Sequence, residues 1–194
     1  LQDSPSHPVV TEPYLQADVA RIDVWRELLS GVREPLVALN WQGNPAAEIG
    51  PLKGRSLPLE EFAPLASVSG IRLVSLQKGF GSEQLATCSF RDRFIQAQDL
   101  VDDSWDFLET AAILANCDLL ITSDTALAHL AGAMGRPTWL LLHHIPDWRW
   151  GLEGASTFWY PSMRLFRQER PGDWSDPIRR VTEALEQWRR DRSA

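Results

Sequence analysis

Short runs of β-branched residues and leucine recur along this chain, separated by amphipathic stretches, and that alternation restricts the fold more than any other feature. The runs PLVALNW (35–41), IRLVSLQ (71–77), RFIQAQ (93–98), DLLITS (118–123), PTWLLLH (137–143) and MRLFRQ (163–168) read as strands. All but the third are followed by a turn marked by Gly, Pro or Asp. Between them, 59–67, 82–87, 104–116 and 124–134 read as helices, with a first helix at 19–30 capped by Asp18 and stopped by Gly31, and a last at 174–191 after an Asp173 cap. A short continuous apolar run such as LLIT suits a strand buried on both faces. The expected fold is therefore α/β, a Rossmann-like doubly wound, mostly parallel sheet of about six strands with helices on both faces. Residues 1–17, with Pro5, Pro8 and Pro13 and no hydrophobic period, read as a linker or arm, leaving 18–194 as one domain.

Composition narrows the function. With 44% apolar and 23% charged residues the chain is an ordinary folded domain. A net charge of −7, with basic residues clustered only at the C-terminal end, argues against a nucleic-acid surface. No apolar run is long enough for a membrane span, and no basic-then-apolar signal peptide opens the chain. Cys88 and Cys117 make no disulfide framework and have no metal-ligand spacing around them, which fits reduced thiols in a cytoplasmic core. No cofactor and no metal are expected. The first residue is Leu1 rather than Met, which suggests a piece of a longer protein.

In a doubly wound sheet, ligands sit beyond the carboxyl ends of the strands, so the polar residues just past each strand carry the information. After the fourth run, Asp124 and Thr125 open a helix, with His129 one turn further on. Free N–H groups and the helix dipole make such a start an anion site, and a diphosphate would fit there. Equally, Ser123 or Asp124 caps the helix and His129 packs beneath the sheet. Lys53, Arg55 and Lys78 place three cations beyond two adjacent strands, either as a phosphate pocket or as a solvated face. Gly79 and Gly81 bracket a turn that lets backbone approach a ligand, though not in the G-x-G-x-x-G pattern. Glu83 is placed to accept from ribose hydroxyls, or simply to favour the first turn of a helix. Ser123, Asp124 and His129 are too close in sequence for a hydrolytic triad and lack the G-x-S-x-G elbow. The neighbours His143 and His144 point in different directions and make a poor metal pair.

The run ETAAILANCDLLITSDTALAHLAGAMGRPTWLLL (109–142) resembles the nucleotide-sugar-binding half of family 9 glycosyltransferases, the group of the ADP-heptose:lipopolysaccharide heptosyltransferases. The resemblance rests on Asp124-Thr125, His129-Leu130-Ala131, Ala133, Gly135 and Pro137. WQGNP (41–45), RSLPLEEFAPL (55–65), SLQKG (75–79) and PDWRW…WYPSMRLFRQ (146–168) are similar to a branch in which this domain follows tetratricopeptide repeats. Together these stretches extend the likeness over about residues 14–190.

The resemblance implies one half of a GT-B fold, an inverting transferase with the catalytic base in a separate N-terminal half, and a nucleoside diphosphate sugar as ligand. It puts Arg55 where the heptosyltransferases have a phosphate-binding lysine, Glu83 near a ribose-binding glutamate, and Asp124, Thr125, Ala126 and His129 against the diphosphate and sugar. Lys78 is a further expected contact to the leaving diphosphate. Two positions depart from the pattern: arginine replaces lysine at 55, and Ala126 stands where a glycine usually follows Asp-Thr. A degenerate domain serving as a scaffold is the alternative. Nine tryptophans, several between Trp139 and Trp174, either fold the 146–160 loop onto the domain or form a platform for sugar or for a partner domain. Trp41 is placed to join them.

Overall fold

The computed structural model describes residues 12–50, 53–103 and 106–192. Five parallel strands form one sheet: β1 (Leu36–Asn40), β2 (Arg72–Ser75), β3 (Leu119–Ser123), β4 (Thr138–Leu142) and β5 (Met163–Arg167), in the order β2-β1-β3-β4-β5. Every residue of β1, β3 and β4 is buried, as their uninterrupted apolar runs require of strands covered on both faces. β1 lies between β2 and β3, with Ala38 opposite Val74 on one side and Leu120 on the other.

The run 93–98 does not become a strand. Phe94 makes a lone parallel bridge to Leu73, after a 3-10 turn at Arg91–Arg93. Its polar side chains serve backbone carbonyls elsewhere: the Arg93 guanidinium donates to Val68 O at 2.8 Å and Ile71 O at 3.3 Å, and Gln98 Nε2 to Gln77 O at 2.8 Å. Such bonds compete with a ladder.

Among the described residues six α-helices flank the sheet: α1 (Val19–Leu28), α2 (Ala63–Ala66), α3 (Gln98–Asp102), α4 (Phe107–Ala115), α5 (Ala126–Ala133) and α6 (Ser175–Asp191). Asp18 caps α1 as expected, its Oδ1 accepting from Arg21 N at 3.0 Å. The cap of α6 sits one residue later than expected, at Trp174, yet Asp173 Oδ1 still accepts from Ser175 N at 3.0 Å. The stretches 59–67 and 82–87 are tighter than expected: Leu59–Phe62 is a 3-10 turn running into α2, and Ser82–Ala86 is 3-10 throughout.

Strand alternation divides the core. Val37, Leu39, Leu119 and Ile121 face Ile178, Val181 and Leu185 of α6, whereas Ala38, Val74 and Leu120 face Trp25 of α1, Ile113 of α4 and Leu127 of α5. Glu109 ties α4 to α1, pairing with Arg21 and accepting from the Trp25 indole N–H at 2.6 Å. Residues 1–11 of the expected arm lie outside the described residues. Tyr14 N and Leu15 N donate to Ala133 O at 2.9 and 3.1 Å, docking the arm's end on α5. No helix among the described residues is long and apolar enough to cross a membrane.

Candidate functional site

From β1 the chain leaves to one side for β2 and then crosses over to β3 on the other, so a crevice opens beyond the carboxyl ends of these strands. A cavity of about 530 Å³ occupies it, within the usual range for a small-molecule site. Its floor is a polar network. Asn40, at the end of β1, donates from Nδ2 to Gln77 Oε1 at 2.8 Å and accepts at Oδ1 from Thr122 at 3.1 Å and Thr125 at 2.9 Å. Gln77, 2% exposed, also accepts from Trp41 N and Gln42 N and donates to Gln42 O and Phe80 O. One amide thereby satisfies five groups and locks the ends of β1 and β2 together.

Two cations line the cavity. Arg55 lies against Gly43, where an added Cβ would come within 3.0 Å of its guanidinium, and Glu48 is 3.8 Å from its Nε. Lys78 donates to Asp106 O at 3.3 Å; burial pulls its pKa down, opposed by Asp106, Glu109 and Asp102. Thr125 and Ala126 also line the cavity, where α5 begins without a side-chain cap from Thr125.

The other expected residues fall elsewhere. Asp124 and His129 do not line the cavity; they join a buried aromatic cluster behind it. The His129 ring stacks on Trp150 at 5.0 Å between centroids, and its Nδ1 lies 3.1 Å from Tyr160 Oη. Burial raises the Asp124 carboxyl above the usual carboxylate range, offset by the Trp150 indole N–H, by His129 and by Arg55. The same burial lowers the His129 pKa, with Asp124 opposing. Glu83 is not at the cavity either: its Oε2 accepts from Gly81 N at 2.8 Å, pinning a turn in which Gly81 has φ +93°. Lys53 is exposed and does not line the cavity.

The tryptophans of the 146–160 loop divide three ways. Trp150 is buried, Trp159 is half-buried, and Trp148 is 67% exposed, packed edge-on against Trp159 with Arg149 over its ring. Trp41 is wholly buried and donates to Gly81 O at 3.2 Å, so it is a core residue and no part of a platform. The histidine neighbours also part company: His143 is buried, while His144 lies against Gln168. Among the described residues no cluster of three or more His, Cys, Asp or Glu could hold a metal ion. Sequence reasoning missed Phe80 and Phe107, both lining the cavity. The Gly79-Phe80-Gly81 triplet was the available signal for the first.

Residues 104–142 match the model of glycosyltransferase family 9 (heptosyltransferase). Over 175 residues, 89% of the chain, it is 31% identical to Protein FlbA of Caulobacter vibrioides, of which that stretch is 28%. Heptosyltransferase II of E. coli, described as an ADP-heptose lps heptosyltransferase, is similar in structure, with a TM-score of 0.58 and 20% identity over 94% of this chain and 55% of that one. The family 9 glycosyl transferase of Veillonella parvula aligns with a TM-score of 0.62 and 14% identity, over 92% and 54%. The chain thus spans about half the length of these solved structures and less of the curated relative.

Proposed function

We propose that this glycosyltransferase family 9-type domain is the nucleoside diphosphate sugar-binding half of an inverting GT-B transferase. The observation that carries the reading is the cavity at the carboxyl ends of β1, β2 and β3, which brings Arg55, Lys78 and the start of α5 to one space. Departure of a nucleoside diphosphate builds negative charge on the diphosphate, and preorganised cations and N–H groups lower the barrier by meeting that charge. Arg55 supplies a planar fork suited to two phosphate oxygens. Lys78, whose charged form is disfavoured by burial, gains a counter-ion when a diphosphate binds. Thr125 and Ala126 present the α5 N-terminus.

Asp124 and His129 act one step removed in this reading, holding the Trp150 segment behind α5. Glu83 holds Gly81 N with Oε2, so a ribose hydroxyl falls to its other carboxylate oxygen. The base that takes the acceptor proton is proposed to belong to a separate N-terminal half, so this chain alone binds the donor and transfers little. Tetratricopeptide repeats before that half, and a cytoplasmic setting, are part of the same proposal.

Titration calorimetry with UDP, ADP and GDP tests it. Binding at millimolar or tighter concentration is expected, weakened about tenfold or more by Arg55→Ala with Lys78→Ala, as loss of charge-assisted phosphate bonds implies. No binding at millimolar ligand would overturn the reading. It would favour a scaffold, the role suggested by the Ala126 methyl at the helix start where the family pattern has glycine.

A further inference from the structure

Phe80 and Phe107 are large apolar side chains that line the cavity and yet remain 61% and 54% exposed. Both stand on hydrogen-bonded backbone. Phe80 sits between Gly79 (φ +62°) and Gly81 (φ +93°), a backbone path open to glycine, and its carbonyl is held by Gln77 Nε2 at 2.7 Å. Phe107 is the first residue of α4, directly after Asp106, whose Oδ1 accepts from Leu108 N at 3.1 Å and Glu109 N at 3.2 Å. The bond from Lys78 Nζ to Asp106 O joins the two supports, two residues before one ring and one residue before the other.

The polar side chains of the same cavity are largely spent on the protein. Asn40 and Gln77 are used in the network beneath, and Thr125 donates to Asn40. Gln42 Oε1 accepts from Gln84 at 3.1 Å, and Asn44 Oδ1 accepts from Ala46 N at 2.9 Å. A base edge placed here meets amide oxygens already engaged, whereas a base face meets two exposed rings.

We propose that Phe80 and Phe107 form an aromatic platform on which the ligand's nucleobase stacks, so that the site accepts nucleoside diphosphates with little regard to which base they carry. The inference rests on the proposed function, since it needs a diphosphate anchored at Arg55 and Lys78. Stacking on an aromatic ring tolerates every base because each has a π-face.

The test is a set of dissociation constants for UDP, CDP, ADP and GDP and for inorganic pyrophosphate, measured by calorimetry on the whole chain. The four nucleotides are expected to agree within about tenfold. Phe80→Ala and Phe107→Ala should each weaken all four by about fivefold or more, as removal of a stacking ring does, and leave pyrophosphate unchanged. Phe107→Trp should restore or strengthen nucleotide binding. Because both rings are exposed, thermal unfolding of the variants should match the parent.

If one base binds more than tenfold tighter than the rest, or the alanine variants bind nucleotides as the parent does, the platform is wrong while the phosphate site stands. If neither nucleotides nor pyrophosphate bind at millimolar concentration, the proposed function itself fails.

Discussion

Gln77 shows how much one side chain can be asked to do. Its carboxamide serves Asn40, Trp41, Gln42 and Phe80 in a place with almost no solvent access. Replacing it by alanine leaves several buried donors and acceptors unmet, and each such group costs about 1–3 kcal/mol. Gln77→Ala is therefore expected to lose roughly 3 kcal/mol or more of folding stability, read from urea denaturation midpoints at unchanged slope. A loss below about 1 kcal/mol would mean that water or a neighbour takes over those bonds.

Nothing in the local sequence marks Gln77 for this task. SLQKG shows a strand end and a turn, but the partners at 40–42 are some 35 residues away. Arg55, Lys78, Thr125 and Ala126, which charge, strand ends and the family resemblance single out in the sequence, all line one cavity. Asp124, His129 and Glu83, singled out in the same way, do not line it. Side-chain direction at a helix start depends on what packs behind it, here Trp150 and Tyr160.

Among the elements, β5 is one edge of the sheet, and edges need cover. The segment after β4 supplies it: Leu165 N donates to Ala155 O at 2.9 Å, and the Arg167 guanidinium donates to Gly154 O, Gly151 O, Trp150 O and Glu153 O at 2.5–3.2 Å. One planar fork thus ties down four carbonyls of the tryptophan loop. Arg167→Ala should release residues 150–154, raising protease nicking there and altering tryptophan emission as Trp150 leaves His129. Arg167→Lys should fail to restore protection, because an ammonium cannot spread its donors over the same fork. Unchanged nicking in both variants would show that other contacts hold the loop. Helices 19–30, 124–134 and 174–191 were expected within two residues of their observed starts or ends, since caps and apolar period are local. The strand expected at 93–98 failed because pairing is not local, and the run pairs only at Leu73, through the Phe94 bridge and the bond from Ile95 N.

At the scale of the whole molecule, the sheet is insulated on both faces, and its central strand shows it. Leu120 of β3 points to the α1, α4 and α5 side and Ile121 to the α6 side, both wholly buried. Leu120→Ala and Ile121→Ala should each cost about 2–5 kcal/mol, as large-to-small changes in a packed core do. Leu152→Ala, at a side chain 71% exposed, should stay within about 0.5 kcal/mol. A β3 substitution as mild as the one at 152 would mean that one face is open, contrary to a doubly wound layout.

Hydrophobic periodicity and turn residues, both properties of neighbours along the chain, were enough for the α/β class, the parallel sheet, most element positions and the end of the sheet at which the cavity opens. Strand order, the union of Arg55, Lys78 and α5 around one cavity, the retreat of Asp124 and His129 behind it, and the placing of Phe80 and Phe107 at its rim were settled by packing. These depend on contacts between residues far apart in sequence, and no local pattern encodes them.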